Sequence, residues 1–240
     1  RSAETVVSWG FRCVKLHFGP SPALDEPADL AEIAACVAAV RRAVGPSIDV
    51  AVDIHNTHPS RAARLVRLFE PHDLLFVEEP LPPERPDLVE RIVRETTIPI
   101  AAGERWMGKW TFREALEAGV SVLQPDLAHA GGITELRKIA AMAESSFASV
   151  APHCPLSPLT FAACVQLGAA LPNFLVQEHN EVNDTRAGGV TYIGAGYMRD
   201  PFAVGEDGCV AVPDAPGIGF VPDEEGLSEI MKRPWRPQRG

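Results

Sequence analysis

Six short apolar segments of this 240-residue chain each end on a side chain that can bind a metal ion or transfer a proton. The segments are IDVAVD, LLFVE, IPIAAGE, VSVLQPD, SVAPH and NFLVQE, and they end on Asp53, Glu78, Glu104, Asp126, His153 and Glu178. Successive end residues are 22 to 27 positions apart, which suits one strand, one helix and two short loops. If the strands form a parallel barrel, these side chains converge at the carboxyl ends of the strands.

Three carboxylates end consecutive segments, namely Asp53, Glu78 and Glu104. Carboxylates held that close repel one another unless a divalent cation neutralises them, and an all-oxygen ligand set favours Mg²⁺. A helix cap or a surface acid is the alternative for each one alone. Glu79 is expected to point away from Glu78 and is interpreted as a structural acid. Three acids in register therefore predict a magnesium site.

The later segments carry groups that suit proton transfer. Asp126 can fix the tautomer of His153 and raise its basicity, although a purely structural hydrogen bond is the alternative for this histidine. His55 lies two residues after Asp53, so it projects toward the same end of the barrel and offers an acid opposite a base. Glu178, if protonated, could donate to a developing oxyanion. The sequence thus predicts an acid–base site.

Three further residues are candidates for binding a substrate. Lys15 could meet a substrate carboxylate, with an ordinary surface lysine as the alternative, and His17 points to the same side two residues later. Trp106 is a weaker candidate for lining the mouth of the site. A carboxylate-bearing substrate would suit Lys15.

The elements that would position these residues alternate regularly along the chain. Strands are predicted at 11–18, 48–53, 74–78, 98–102, 120–124, 147–151 and 174–178. Helices are predicted at 1–8, 29–44, from about 59, and at 86–95, 111–118, 132–144 and 158–170, from apolar spacings of three and four residues and from Gly and Pro at their ends. Strands that alternate with helices require parallel pairing, and continuous apolar strands are buried on both faces.

The predicted fold is an α/β barrel of the TIM type with seven of its eight strands. Residues 1–180 form this barrel domain, and residues 181–240 are interpreted as a wrapping extension with hairpin-like pieces near 209–212 and 218–221. Two unpaired edge strands would expose apolar surface, so we expect the sequence to be part of a longer chain that supplies the first strand.

Composition restricts the classes of partner. A formal net charge of −10 makes non-specific binding of nucleic acid unfavourable. No apolar stretch of about 18 residues and no signal peptide are apparent, which predicts a protein without a membrane span. The five cysteines are scattered and odd in number, typical of reduced thiols in a cytoplasmic protein.

The motifs VDIH, FVEEP, AAGER, LQPDLAHAGGITE, APHCPLSP and LVQEH, in this order, resemble the enolase superfamily. Within it they are most similar to the mandelate racemase subgroup and to galactonate dehydratase-like acid-sugar dehydratases. The resemblance covers residues 10–180 well and the remainder more loosely. It implies that Asp53, Glu78 and Glu104 bind a Mg²⁺ that holds the substrate carboxylate and stabilises an enediolate.

The resemblance also implies roles for the proton-transfer residues. His153 and Asp126 match the dyad of the family, Glu178 matches the acid that hydrogen-bonds the enediolate, and His55 matches the acid that helps hydroxide leave. The expected reaction is dehydration of a galactonate-like sugar acid to a 2-keto-3-deoxy acid. His129 matches a family motif without an assignable role.

Two departures from the family pattern keep alternatives open. Many relatives carry Lys-x-Lys where this chain has Lys15-Leu16-His17, which disfavours a racemase with bases on both faces, although His17 could substitute. The N-terminal capping domain of the family has no counterpart here. A racemase, epimerase or cycloisomerase on the same scaffold, or an inactive truncated barrel, are the alternatives, and the family habit favours homo-oligomers.

Overall fold

The structure of the chain is a computed structural model that describes residues 2–18, 27–55, 58–155, 157–180 and 184–232. Its strands are β1 (Cys13–His17), β2 (Asp49–Asp53), β3 (Phe76–Glu78), β4 (Ile100–Ala102), β5 (Val122–Leu123), β6 (Ser149–Val150), β7 (Thr185–Ala187), β8 (Val190–Ile193) and β9 (Phe202–Ala203). Its helices are α1 (Ala3–Ser8), α2 (Pro27–Val44), α3 (Pro59–Phe69), α4 (Val89–Val93), α5 (Lys109–Glu117), α6 (Leu127–Ala130), α7 (Gly132–Ser145), α8 (Pro158–Ala170) and α9 (Glu224–Met231).

The first six strands of the described residues form one parallel sheet in the order β1-β2-β3-β4-β5-β6. The register aligns strand ends, since His17 is opposite Asp53 and Asp53 is opposite Glu78. Helices separate consecutive strands, as the alternation in the sequence predicts. The predicted helix at 86–95 is shorter than expected: a 3₁₀ turn at Pro86–Leu88 leads into α4. The parallel α/β architecture is confirmed.

Alternate residues of the strands pack on opposite faces of this sheet. One face contributes to the main core against the helices, through residues such as Val50, Val52 and Val77. The other face forms a separate small cluster made of Ala51, Phe76, Ala101, Val122 and Ala151. The second cluster is the interior of a curled sheet, because an ion pair joins the two ends of the array, from Lys15 on β1 to Glu178.

The seventh predicted strand, 174–178, is reduced in the described structure to a single parallel bridge from Phe174 to Val150. Leu175 N–H donates to the carbonyl of Val150 at 2.8 Å, but the ladder does not continue. Pro152, which follows β6, has no N–H to donate, and the Gln177 side chain instead donates to the Pro152 carbonyl at 3.0 Å. The segment therefore lies beside β6 without forming a regular strand.

The hairpin predicted for the last 60 residues is in the wrong place. The antiparallel pair is formed by β7 and β8, and β9 adds to it, whereas 209–212 and 218–221 form no strand. Gly188 and Gly189 have φ of +58° and +82°, which a tight two-residue hairpin turn requires. Pro213 and Pro216 remove backbone donors from the region where the hairpin had been placed.

This C-terminal part shares a core with the barrel part. Ile193, Phe202 and Val204 pack in one cluster with Phe161 of α8, and Phe11 packs against it just before β1. The Thr191 hydroxyl also donates to the carbonyl of Trp9 at 3.0 Å. The boundary at residue 180 stays a prediction. In the described part of the chain, no helix has the length and apolar character needed to cross a membrane.

Gly103 connects β4 to the site and tolerates no side chain. Its φ is +139°, and a Cβ there would lie 2.7 Å from Cε1 of Phe112 and 3.1 Å from the Gln124 nitrogen. We expect Gly103→Ala to lower the free energy of unfolding by roughly 2–6 kcal/mol, from backbone strain plus overpacking. Chemical denaturation measures this loss.

The matched control for this substitution is Gly45→Ala. Gly45 also has a positive φ, +77°, but a Cβ there would meet nothing within 4 Å. We expect Gly45→Ala to lower the free energy of unfolding by the backbone strain alone, roughly 1–2 kcal/mol. Equal losses for the two variants would show that the contact with Phe112 contributes nothing.

Candidate active site

The inward-facing positions of the strands lead directly to a cluster of polar side chains at their carboxyl ends. Two residues beyond the apolar inner layer, Ala51 is followed by Asp53, Phe76 by Glu78, and Ala151 by His153. Because side chains in a strand repeat with a period of two, the polar groups lie directly above the apolar layer. The side chains of Asp53, Glu78 and Asp126 are at most 5% exposed.

Lys15 connects the two ends of this cluster. Its Nζ lies 2.9 Å from Oε1 and 2.7 Å from Oε2 of Glu78, and it also contacts Oε1 of Glu178. Burial disfavours the ammonium, but the charges of Glu78 and Glu178 outweigh it and raise the pKa of Lys15, which therefore stays protonated. The predicted substrate-binding lysine thus has two carboxylate partners in this structure.

Glu78 is the most deeply buried of the acids, with 0% of its side chain exposed. Gln124, which follows β5, donates from Nε2 to Oε2 of Glu78 at 2.8 Å. Burial raises the pKa of Glu78, Lys15 opposes the rise, and the charges of Asp53 and Glu178 add to it. Crowded buried carboxylates of this kind bind a proton or a cation readily.

His153 and Asp126 form the predicted dyad. His153 Nδ1 lies 2.8 Å from Oδ2 of Asp126, whose Oδ1 accepts hydrogen bonds from the backbone N–H groups of Ala128 and His129. Asp126 therefore caps α6 and orients the imidazole at the same time. Burial opposes the imidazolium, but this hydrogen bond and the charges of Glu178 and Glu104 raise the pKa of His153 above its usual value.

The other nitrogen of His153 faces the centre of the cluster. Nε2 lies 3.3 Å from Oε2 of Glu104 and 4.0 Å from Oε2 of Glu178. Burial raises the pKa of Glu178, but Lys15 and His153 outweigh it and lower it overall. These neighbours favour the carboxylate form of Glu178 in this arrangement, and its role as a proton donor stays a prediction. The backbone N–H of Cys154 donates to it at 3.0 Å.

Two histidines contact Asp53, on the side of the cluster opposite the His153–Asp126 dyad. His17 Nδ1 lies 2.6 Å from Oδ2 of Asp53, and the backbone N–H of His55 donates to Oδ1 at 2.9 Å. The buried Nδ1 of His55 has no hydrogen-bond partner within the described residues and lies 3.8 Å from Asp53 and 3.6 Å from Glu104. The structure thus brings both predicted histidines to the first predicted metal ligand.

The predicted metal ligands are brought together without forming a finished metal site. Across the described ranges, no three His, Cys, Asp or Glu side chains have an arrangement that could hold a metal ion. The donor chemistry nevertheless fits Mg²⁺, because Asp53 and Glu78 are neighbours in register and bring buried carboxylate oxygens close together. Nδ1 of His55 is buried between Asp53 and Glu104 without a hydrogen-bond partner among the described residues. A further polar group bound at this point would give that nitrogen a partner.

Trp106, predicted to line the site, lies in the core instead. It is 5% exposed, its ring packs edge-on against Phe112 with centroids 5.1 Å apart, and its indole N–H donates to the Pro83 carbonyl at 3.1 Å. The backbone turns after Gly103, whose carbonyl accepts from Trp106 N–H at 3.2 Å. The strand alternation ends at this turn, so position 106 does not face the mouth.

Three further residues support the site, and of these the sequence singles out only His129, without an assignable role. Gln124 contacts Glu78, and the period of two from Val122 to Asp126 could have identified it. His129 places Nδ1 3.1 Å from the backbone carbonyl of Glu104, which holds the chain after β4 against α6. Arg105 pairs with Glu79, a contact between side chains that no local pattern shows.

The pair of Glu79 and Arg105 fixes the turn that carries Glu104. Glu79 is 1% exposed, has φ of +46° and accepts from Gly103 N–H at 3.2 Å. Arg105→Met would leave this carboxylate buried without its cation, so we expect a loss of about 3–5 kcal/mol in the free energy of unfolding. Arg85→Met breaks an exposed pair with Asp87, which water and salt screen, so it should lower the free energy of unfolding far less than Arg105→Met does. Thermal and urea unfolding of both variants test this, and similar losses would contradict it.

Comparison with known proteins agrees with this fold. The family described as enolase C-terminal domain-like matches residues 1–226. The chain belongs to the enolase C-terminal domain-like family.

Individual relatives are consistent with this assignment. A D-galactonate dehydratase of Variovorax paradoxus (strain S110) is 39% identical over 218 residues, covering 89% of this chain and 56% of the relative. A mandelate racemase/muconate lactonizing enzyme from Jannaschia sp. CCS1 superposes with a TM-score of 0.84 at 34% identity, covering 95% of this chain and 58% of that one. A racemase from Streptomyces coelicolor A3(2) with bound magnesium superposes with a TM-score of 0.78 at 32% identity, covering 95% and 57%.

The chain spans about half the length of the curated relatives it matches, 56% of the relative from Variovorax and 53% of a D-galactonate dehydratase of Ralstonia pickettii (strain 12J). The match shows the barrel fold and the family.

Proposed function

We propose that this chain carries the acid–base site of a Mg²⁺-dependent dehydratase of sugar acids, with a galactonate-like substrate and a 2-keto-3-deoxy acid as product. The observation that supports it best is the His153–Asp126 dyad, whose Nε2 faces a cluster of acids at the carboxyl ends of the strands. D-galactonate dehydratases at 39–40% identity support the same reaction class.

His153 is the base in this proposal. Asp126 holds Nδ1, so Nε2 is the nitrogen that takes the proton from the carbon next to the substrate carboxylate. The raised pKa of His153 strengthens it as a base once it is deprotonated. Asp126, held by two backbone N–H groups, stays ionised and stabilises the imidazolium that forms.

The opposite side of the cluster supplies the acid. His55 lies beside Asp53 and Glu104, with a side chain that is 19% exposed, and it would protonate the departing hydroxyl. His17, the residue that could act as a second base in a racemase, is hydrogen-bonded to Asp53.

The remaining groups of the cluster would stabilise the negative charge of the substrate carboxylate. Asp53, Glu78 and Glu104 are the residues that would hold Mg²⁺, which when bound supplies Lewis-acid stabilisation of negative charge on the substrate carboxylate. Lys15 lies beside Glu178, on the same side of the cluster as the dyad, and its ammonium would contact the carboxylate end of the substrate. A small acidic molecule is therefore the substrate class, and the proposed assembly is a homo-oligomer.

Proton NMR in D₂O with Mg²⁺ and a panel of sugar acids tests the proposal. A keto-deoxy product establishes the dehydratase and identifies its substrate. Deuterium incorporation next to the carboxylate without loss of water would instead support the racemase or epimerase alternative. If no acid of the panel gave a keto-deoxy product or deuterium exchange, both the dehydratase proposal and the racemase or epimerase alternative would be contradicted.

A further inference from the structure

Lys15 is predicted to bind a substrate carboxylate, yet its ammonium is already paired with acids of the cluster. Its ammonium lies among the acids, in contact with both oxygens of Glu78 and with one oxygen of Glu178. An ammonium has three protons to donate, and these three acceptors use all of them. In this arrangement Lys15 has no donor left for a substrate carboxylate.

The carboxylate of Glu78 also accepts three hydrogen bonds. Lys15 contacts its two oxygens at 2.9 and 2.7 Å, and Gln124 donates to Oε2 at 2.8 Å. A carboxylate that binds a divalent cation directs an oxygen lone pair to it, and the ammonium of Lys15 competes for the same electron pairs by the same electrostatics. Three donor contacts occupy three of the roughly four lone-pair sites of Glu78, so Lys15 and a divalent cation compete for this carboxylate.

We propose that Lys15 is an internal counter-ion of the acid cluster, that a divalent cation displaces it from Glu78, and that the displaced ammonium then binds the carboxylate of the substrate. The inference rests on the proposed function for its metal and for its substrate class. It adds an order of events in which the metal ion binds first and creates the binding site for the acid.

The surroundings of Lys15 allow this movement. Its side chain is 23% exposed, whereas that of Glu78 is 0% exposed, so the lysine can leave while the acid stays. The flexible four-carbon stem of Lys15 lets its ammonium move while the backbone of β1 stays in place. Glu178 remains as a partner at the edge of the cluster.

The exchange has a thermodynamic consequence. If a divalent cation releases Lys15, the cation must raise the affinity for a carboxylate anion, and the anion must raise the affinity for the cation by the same factor. Loss of the Lys15 side chain removes the part of this coupling that passes through the ammonium, whereas direct attraction between the metal ion and the carboxylate would remain.

Chemical acetylation of lysines, followed by mass spectrometry of the wild-type protein, tests the displacement directly. We expect the rate at Lys15 to rise roughly tenfold or more when Mg²⁺ is added to saturation, a factor typical of coupled sites. Lys109 pairs with Glu135 and is 28% exposed, so it serves as the internal control whose rate should not change.

Calorimetric titration of Mg²⁺ into Lys15→Met, without substrate and at constant ionic strength, provides the second measurement. Removal of the competing ammonium should tighten Mg²⁺ binding by roughly tenfold, equivalent to about 1.4 kcal/mol. Lys109→Met carries the same change in net charge and should bind Mg²⁺ as the wild type does. If Lys15→Met fails to fold, the acetylation of the wild-type protein decides alone.

The outcomes separate this inference from the proposed function. Mg²⁺ binding that leaves Lys15 protected would overturn the role of Lys15 and keep the metal site. Binding in Lys15→Met but not in the wild type would support Lys15 as the competing cation. No binding of Mg²⁺ in either protein would overturn both the counter-ion role and the magnesium-dependent function.

Discussion

His153→Asn is expected to lower the rate of proton exchange next to the substrate carboxylate by roughly 10²–10⁴-fold, the usual contribution of a general base. His153 Nε2 is the nitrogen of the dyad that faces the acids, and Asp126 holds the other nitrogen at 2.8 Å. Asparagine can still hydrogen-bond to Asp126 but has no basic nitrogen. The reaction therefore loses its proton acceptor while the local packing is kept.

The measurement for His153→Asn combines three readouts. Exchange in D₂O is followed by NMR, Mg²⁺ binding by calorimetry and unfolding by denaturant. Because His153 is not one of the proposed metal ligands, Mg²⁺ affinity and stability should change little. Exchange within about twofold of the wild-type rate would remove His153 from the general-base role.

His72→Asn is the matched control, since it makes the same substitution outside the cluster. His72 ends the 3₁₀ turn Glu70–His72 that precedes β3, so it lies at the other end of the sheet from the site. Its backbone carbonyl accepts from Arg41, a bond that the side-chain change leaves in place. This variant should exchange protons at the wild-type rate, and a comparable loss would point to a general effect of the substitution.

The sequence predicts the strand-end residues well because their positions depend only on local periodicity. An apolar run that alternates with a period of two and ends on an acid places that acid next to its inward-facing neighbours, as for Asp53 and Glu78. The same reasoning holds for His153. Parallel pairing and register then follow from the repeat of strand and helix.

Contacts across the curled sheet could not be predicted in this way. Lys15 meets Glu178 only because β1 and the segment at 174–178 approach each other, and no feature near either residue specifies that distance. The pair of Glu79 and Arg105 depends likewise on the turn after β4. The position of Trp106 in the core likewise depends on the turn after Gly103, whose carbonyl accepts a hydrogen bond from the Trp106 N–H.

The C-terminal part shows a different source of error. Gly188-Gly189 between two short β-prone segments is a strong local hairpin signal, whereas 209–212 and 218–221 flank two prolines. Apolar residues there, such as Val210 and Phe220, pack against the core of α8 without forming a ladder. Burial and not strand pairing explains their hydrophobicity.

Glu104→Gln is the second variant with a large expected effect, a weakening of Mg²⁺ binding by at least roughly 100-fold. Loss of an outer partner of a metal ligand already costs about 10–100-fold, so loss of the charge on a ligand costs more. Glutamine keeps the size of the side chain and one carbonyl oxygen. The His129 bond to the backbone carbonyl of Glu104 does not involve the side chain, so the turn should be preserved.

Calorimetric titration of Mg²⁺ measures this effect, with Glu114→Gln as the control. Glu114 lies on the exposed face of α5, so its substitution changes the net charge equally and leaves the cluster untouched. We expect wild-type affinity for the control. An unaltered titration in Glu104→Gln would show that the carboxylate at position 104 does not bind the metal.

The Glu104 carboxylate lies close to two histidines as well as to the proposed metal site, so its loss should affect more than metal binding. Oε2 of Glu104 is 3.3 Å from Nε2 of His153, and Oε1 is 3.6 Å from Nδ1 of His55. In the proposed function the carboxylate would therefore act on His153 and His55 as well as on the metal ion. Raising the Mg²⁺ concentration until Glu104→Gln is saturated should restore occupancy but only part of the proton-exchange rate, because the charge beside both histidines stays absent. Full recovery at saturation would confine Glu104 to metal binding, whereas partial recovery would show that it also sets the protonation of the groups that carry out the reaction.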